Sequence, residues 1–177
     1  MNEKNGPILT TLCYIEQDDK YLMLHRIKKQ NDLNKDKYIG VGGHVEFGET
    51  PDECLKREVY EETGAKNISY KARGLVIFIY GNEDEPEERI VEYMHLYTAR
   101  LSAEGFGLAD PFRVPECDEG ELVWIEKDAV CDLPIWEGDK IFFRLLKERT
   151  DYFSLKLVYN KEDKLIEAAL NGEALKV

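Results

Sequence analysis

No apolar run in this chain of 177 residues approaches the roughly 20 residues that a bilayer-spanning helix needs, so no membrane association is expected. The opening Met1 to Pro7 is polar and lacks the apolar stretch of a secretion signal; a short flexible lead and a cytoplasmic location are the expectation. The four cysteines, Cys13, Cys54, Cys117 and Cys131, form neither a C-x-x-C pair nor a dense framework. Zinc binding and a disulfide scaffold are thereby excluded, and reduced thiols are the default. Positive charge is scarce as well: 24 Lys and Arg stand against 36 Asp and Glu, a formal net charge of -12. Nucleic-acid polymers are held mainly by clustered cations, so they are not expected as partners, and no basic groove-reading helix is visible. Small phosphates stay open, because a divalent cation between carboxylates and phosphate oxygens reverses the local sign of the field.

What is present is enough apolar material, 43% of the residues, for one globular domain over 1–177. Runs at 8–15 and 21–25 read as a hairpin, followed by a polar, exposed loop over 26–37. Thr50 as N-cap, Pro51 at the first helical position, Glu53 completing a capping box and Gly64 as terminator predict a helix from Pro51 to Thr63. Strands are expected at 67–72, 74–80, 90–101 and 121–125, with an acidic connection over 82–88 and irregular chain over 102–120. A helical turn over 128–132 and a helix over 137–148, with Ile141, Phe142, Leu145 and Leu146 on its apolar side, follow. The tail reads as a terminal hairpin, 153–158 against 165–166. Strands outnumber helices without regular alternation, which favours a mixed α/β sandwich.

The chemistry lies on the first helix. Glu58, Glu61 and Glu62 stand at i, i+3 and i+4, within an arc of roughly 100°, while Leu55 and Val59 form the apolar stripe beside them. Hard oxygen ligands so placed match magnesium, with manganese as a substitute. Arg57, four residues before Glu61, is spaced to pair with that face. Taken alone, the pattern fits a solvated acidic helix face better than a metal site, because such faces are common.

The surrounding residues change that balance. Gly43, five residues, Glu49, seven residues, Arg57-Glu58-Val59, one residue, Glu61-Glu62, one residue, Gly64 and an apolar residue, here Ala65, resemble the Nudix box at every fixed position. The resemblance covers about Ile8 to Glu148 and implies an α/β/α sandwich with a mixed sheet, to which residues 149–177 add a C-terminal hairpin. It further implies a hydrolase of phosphoanhydrides in which Glu58, Glu61, Glu62 and the Gly42 carbonyl hold the metal. Glu58 is the implied base, with Arg57 and Glu49 supporting it. A further carboxylate from a later loop is implied, and Glu119 is preferred to Glu121.

Segments 21–26, 38–43 and 133–139 resemble the MutT-like branch, which includes diphosphatases of oxidised purine nucleoside triphosphates such as 8-oxo-dGTP. That branch implies a nucleotide substrate, with Trp136 and Asp139 at the base, and Tyr38 and His44 as further substrate contacts. For Trp136 and Asp139 a core aromatic and a helix-start residue are equally good readings. His25 and His95 are given no chemistry beyond strand positions. Tyr80 and Gly81 stand where ADP-ribose hydrolases usually have Pro, whereas Tyr80 keeps dinucleoside polyphosphates open. Nucleotide sugars and a non-catalytic nucleotide-sensing module are the remaining alternatives, and both monomer and homodimer fit the sequence.

Overall fold

The structure, a computed structural model, describes residues 6–28, 31–103, 105–107 and 113–177. Two compact units divide it: Met1–Thr10, Ala72–Leu96 and Trp136–Val177 form the first, and Thr11–Lys71 with Tyr97–Ile135 the second. Three long strands, β1 (Ile8–Gln17), β4 (Ile68–Tyr80) and β5 (Ile90–Leu101), belong partly to each. Among the described residues no helix is long and apolar enough to cross a membrane.

In the second unit β1 turns into β2 (Lys20–His25) through Asp18 and Asp19, both with positive φ of 45° and 63°. Such a two-residue turn matches the twist of paired strands, and Asp tolerates the left-handed region better than most residues. Along one edge β2 pairs with β6 (Glu121–Glu126) over its full length. The other edge is shared, because β1 pairs with residues 20–22 and β3 (Tyr38–Ile39) with residues 24–25. The chain after β3 then returns to β1 through the Cys13–Val41 bridge. Against these strands packs α1 (Pro51–Thr63), which buries Leu55 and Val59 fully among Cys13, Ile15, Leu22, Leu24 and Val41. The expected apolar stripe is therefore the helix's anchor. Ala65, the small residue at the end of the box, lies in the same core.

In the first unit β4 runs parallel to β7 (Phe153–Tyr159), with Gly74 opposite Phe153 and Tyr80 opposite Tyr159. β7 pairs antiparallel with β8 (Leu165–Leu170), and β8 with β9 (Glu173–Leu175). Buried Phe142, Phe143, Leu145 and Leu146 supply the apolar side of α2 (Asp139–Glu148). Its C-terminal carbonyls are met by Arg73, whose Nη2 donates to Leu146 O at 3.1 Å and Arg149 O at 2.6 Å. Mixed strand pairing with two α-helices is the expected α/β class.

Two expectations are corrected. The strands foreseen at 67–72 and 74–80 are one, because Gly74 continues the ladder: a side chain there would collide with the carbonyl of Phe153, 2.6 Å from an added Cβ, and glycine lets the backbones approach. The terminal hairpin gains a third strand, β9, turned from β8 by Asn171 and Gly172, both with positive φ.

The box helix is capped as its sequence requires. Thr50 Oγ1 accepts from Glu53 N at 3.2 Å, Glu53 Oε2 accepts from Thr50 N at 2.8 Å, and Gly64 ends the helix at φ 72°. Thr50→Ala should therefore lower unfolding free energy by about 1 kcal/mol, read as a lower urea midpoint at unchanged m-value. An unchanged midpoint would show that the cap contributes nothing.

Candidate active site

The loop that opens the box is stitched to β1 by backbone bonds. Cys13 N donates to Val41 O at 2.7 Å, Val41 N to Cys13 O at 3.0 Å, and Thr11 N to Gly43 O at 2.9 Å. Successive peptide groups in extended chain face opposite ways, so the Gly42 groups turn from β1, and Gly42 N donates to Glu62 Oε2 at 2.9 Å. A side chain at Gly42 would strike the Thr11 carbonyl, and a Cβ on Gly43 would fall on the Glu58 carboxylate. Gly42 thus brings backbone against β1 and Gly43 brings it against α1. Beneath them the Cys54 thiol, 3.4 Å from Thr11 Oγ1, donates to the carbonyls of Gly43 and His44 at 3.6 and 3.4 Å.

Arg57 is the hub. Its Nε and Nη2 grip Glu49 through both carboxylate oxygens, each at 2.9 Å, and Nη2 also donates to His44 O at 3.0 Å. Its Nη1 donates to Glu58 Oε1 at 2.6 Å and Glu61 Oε2 at 3.3 Å. One planar guanidinium therefore fixes the loop and two glutamates together, a task for which a point-charge lysine lacks the donors. The bond from Arg57, aided by that from Glu46 N, pulls Glu49 down to about 2, and the same bond to Glu49 raises Arg57 above its ordinary value.

Helical spacing gives the three glutamates graded exposure. The Glu61 side chain is 56% exposed and that of Glu58 15%, whereas residue Glu62 is 7% exposed. Glu62 is pushed up to about 8, first by burial and then by the negative charges of Glu119 and Glu58, against the pull of the Gly42 N–H and Arg26. Glu119 lies in the turn before β6, where Cys117 bridges Gly120, and its Oε2 accepts from Arg26 Nη1. Glu121, the rejected alternative, is exposed at the start of β6.

A carboxylate raised first by burial and further by neighbouring carboxylates belongs to a donor set that a divalent cation fits, since clustered hard oxygens of one sign need a counter-charge. Among the described residues no three His, Cys, Asp or Glu side chains form a ready-made cage; Arg57 engages Glu58 and Glu61, and Arg26 engages Glu119.

The second unit therefore brings together Gly42, Glu49, Arg57, Glu58, Glu61, Glu62 and Glu119. His44 joins them through its backbone, while its side chain is exposed. Tyr38 stacks on His25, with ring centroids 4.2 Å apart and planes 6° apart, so His25 has a partner the sequence did not suggest. Trp136 and Asp139 belong to the first unit. Trp136, 5% exposed, meets Phe78, Tyr80 and Tyr159 edge-on at 5.2, 6.1 and 4.9 Å, and Asp139 is buried at the start of α2. The Tyr80 hydroxyl donates to Lys161 O at 3.2 Å. Sequence reasoning missed Arg26 and Asp32. The loop over 26–37 was expected to be exposed, yet these side chains are only 12% and 10% exposed, because each neutralises the other in an ion pair of 2.6 Å. Glu119 lies 93 positions from Arg26, and no local pattern announces such a pair.

Residues 6–146 match the NUDIX domain family. The chain is 25% identical over 169 residues to the uncharacterized Nudix hydrolase YvcI of Bacillus subtilis, covering 94% of this chain and 96% of that one. It is 24% identical over 163 residues to an oxidized purine nucleoside triphosphate hydrolase of Danio rerio, covering 92% and 94%. The crystal structure of a MutT protein from Bacillus halodurans superposes with a TM-score of 0.67 at 25% identity, covering 94% of this chain and 99% of that one. A protein with this fold and this box is a hydrolase of phosphoanhydrides. The chain belongs to the Nudix family, in its MutT-like branch.

Glu62 gives the site a pH signature. Its folded pKa lies above the unfolded value of about 4.3, so its contribution to stability is complete below that value and is lost as pH rises through about 8. In chelator, the wild type should lose melting temperature relative to Glu62→Gln between about pH 5 and pH 9, since the amide keeps an acceptor for Gly42 but never ionises. Calorimetry showing parallel curves for the two proteins would contradict this account of Glu62.

Proposed function

We propose that this protein is a magnesium-dependent diphosphatase of purine nucleoside triphosphates, oxidised ones such as 8-oxo-dGTP included, releasing nucleoside monophosphate and pyrophosphate. The observation that carries the metal reading is Glu62, buried beside two further carboxylates and pushed up to about 8. Glu58, Glu61, Glu62, Glu119 and the Gly42 carbonyl would hold the cation, magnesium or manganese. Bound there, it would neutralise phosphate oxygens and polarise the scissile anhydride. Attack of water on either phosphorus of the α–β bridge breaks the bridging P–O bond and gives nucleoside monophosphate and pyrophosphate. Glu58 accepts the water's proton, and its position is fixed by Arg57, which Glu49 in turn holds by a two-oxygen grip. Gly43 keeps a side chain away from the Glu58 carboxylate, and Gly42 lets the loop lie against Thr11 of β1.

The purine assignment is supported by the Danio rerio relative's name, at 24% identity, and by the resemblance of segments 21–26, 38–43 and 133–139 to the MutT-like branch. On that resemblance Trp136 and Asp139 meet the base, with Tyr38 and His44 as further substrate contacts. A non-catalytic sensor is disfavoured by the complete set of box carboxylates. The substrate is a small nucleotide, and the site is expected to work in the cytoplasm.

A product-resolved screen with magnesium, over oxidised and ordinary nucleoside triphosphates, ADP-ribose, nucleotide sugars and dinucleoside polyphosphates, tests the reading. The expected result is preference for a purine triphosphate with pyrophosphate as co-product; preference for any other class would replace the substrate assignment. Glu58→Gln keeps the shape and removes the charge, and should lower kcat by about 10²- to 10⁴-fold while the protein stays folded by circular dichroism. A rate within tenfold of wild type would move the base to another residue.

A further inference from the structure

Arg26 has no assigned role in the reaction, yet each of its three guanidinium nitrogens engages a carboxylate. Its Nε donates to Asp32 Oδ2 at 2.7 Å, Nη2 lies 2.6 Å from the same oxygen, and Nη1 donates to Glu119 Oε2. Burial works against its charge, but the Asp32 hydrogen bond and the charges of Glu119 and Asp32 outweigh it and raise Arg26 above its ordinary value. Asp32 is itself fixed: Asn34 N donates to its Oδ1 at 3.0 Å, and Lys35 N to its carbonyl at 3.0 Å.

The same two segments are tied again beside this contact. Lys28 Nζ donates to Cys117 O at 2.5 Å. Gly120 leaves no room for a side chain against the His25 carbonyl, and His25 pairs with Glu121 in the β2–β6 ladder. The turn that carries Glu119 is therefore held to the end of β2 by backbone, and its carboxylate by the next residue, Arg26.

We propose that Arg26, anchored by Asp32, is a positioning residue that fixes the Glu119 carboxylate beside Glu62, so that the Asp32–Arg26–Glu119 chain sets metal affinity. This rests on the reading of Glu119 as a metal ligand. A guanidinium suits the task because its donors lie in one plane at fixed angles, which lets Asp32 lock its orientation while Nη1 remains committed to Glu119. A partner that orients a ligating carboxylate typically changes metal affinity by about 10- to 100-fold when removed.

The test uses Mn²⁺ alone as probe, with free Mn²⁺ measured by electron paramagnetic resonance on the full-length protein and no nucleotide present. Arg26→Gln and Glu119→Gln should each weaken Mn²⁺ binding by about 10- to 100-fold, and the double variant should bind no more weakly than Glu119→Gln alone. Arg26→Lys should restore part of the loss. Asp32→Asn, which leaves the guanidinium in place, should give a smaller loss that also vanishes in the Glu119→Gln background, and it carries the test should Arg26→Gln not fold by circular dichroism. Losses that multiply in the double variants would show that Arg26 acts independently of Glu119 and overturn the proposal while leaving Glu119 a ligand. Unchanged Mn²⁺ binding in Glu119→Gln would remove both the proposal and the assignment of Glu119.

Discussion

Repulsion among carboxylates is the constraint on which the rest of the second unit depends. Glu58, Glu61, Glu62 and Glu119 act on one small region, and nothing apolar could hold them there. The chain answers with two guanidiniums, Arg57 on the helix and Arg26 at the end of β2. Each is itself aimed by a carboxylate outside the cluster: Glu49 grips Arg57 and Asp32 grips Arg26. The pattern is acid, base, acid on both flanks, and the outer acids have their own backbone donors, Glu46 N and Asn34 N. Because such pairs are partly removed from water, the loss of one partner leaves an uncompensated charge, which is far costlier than the loss of a surface pair.

Much of this was legible before any coordinates. The capped helix Pro51–Thr63, its Leu55 and Val59 anchor and the clustered glutamates follow from spacing alone, because helical periodicity and capping are local properties. Arg57 meeting Glu61 is an i, i+4 contact, and its grip on Glu49 rests on the box. Glu119 required the resemblance, since a carboxylate more than fifty positions beyond the helix has no local signature. Arg26 and Asp32 were read as part of an exposed loop, because polarity in sequence says nothing about whether opposite charges neutralise each other on folding.

Burial was the other illegible quantity. Spacing placed three glutamates on one face and treated them as equals, yet the face lies at the margin of the packed surface. A rotation of one residue step separates Glu61, open to solvent, from Glu62, enclosed. Their environments diverge accordingly: Glu61 meets water and Arg57, whereas burial pushes Glu62 up to about 8. The break expected at residue 73 failed for a related reason, since only the position of Phe153 shows how the strand runs on through Gly74.

The pairing of β4 with β7 has a bearing on how much of the chain the family fold needs. Residues matching the family stop at 146, yet Gly74 to Tyr80 obtain their outer ladder partners from Phe153 to Tyr159. Without the tail, this stretch of β4, which includes buried Val76 and Phe78, would present an open apolar edge, the kind of template on which other chains add strands and aggregate. Phe153 to Tyr159 thus cover an edge that would otherwise lie open.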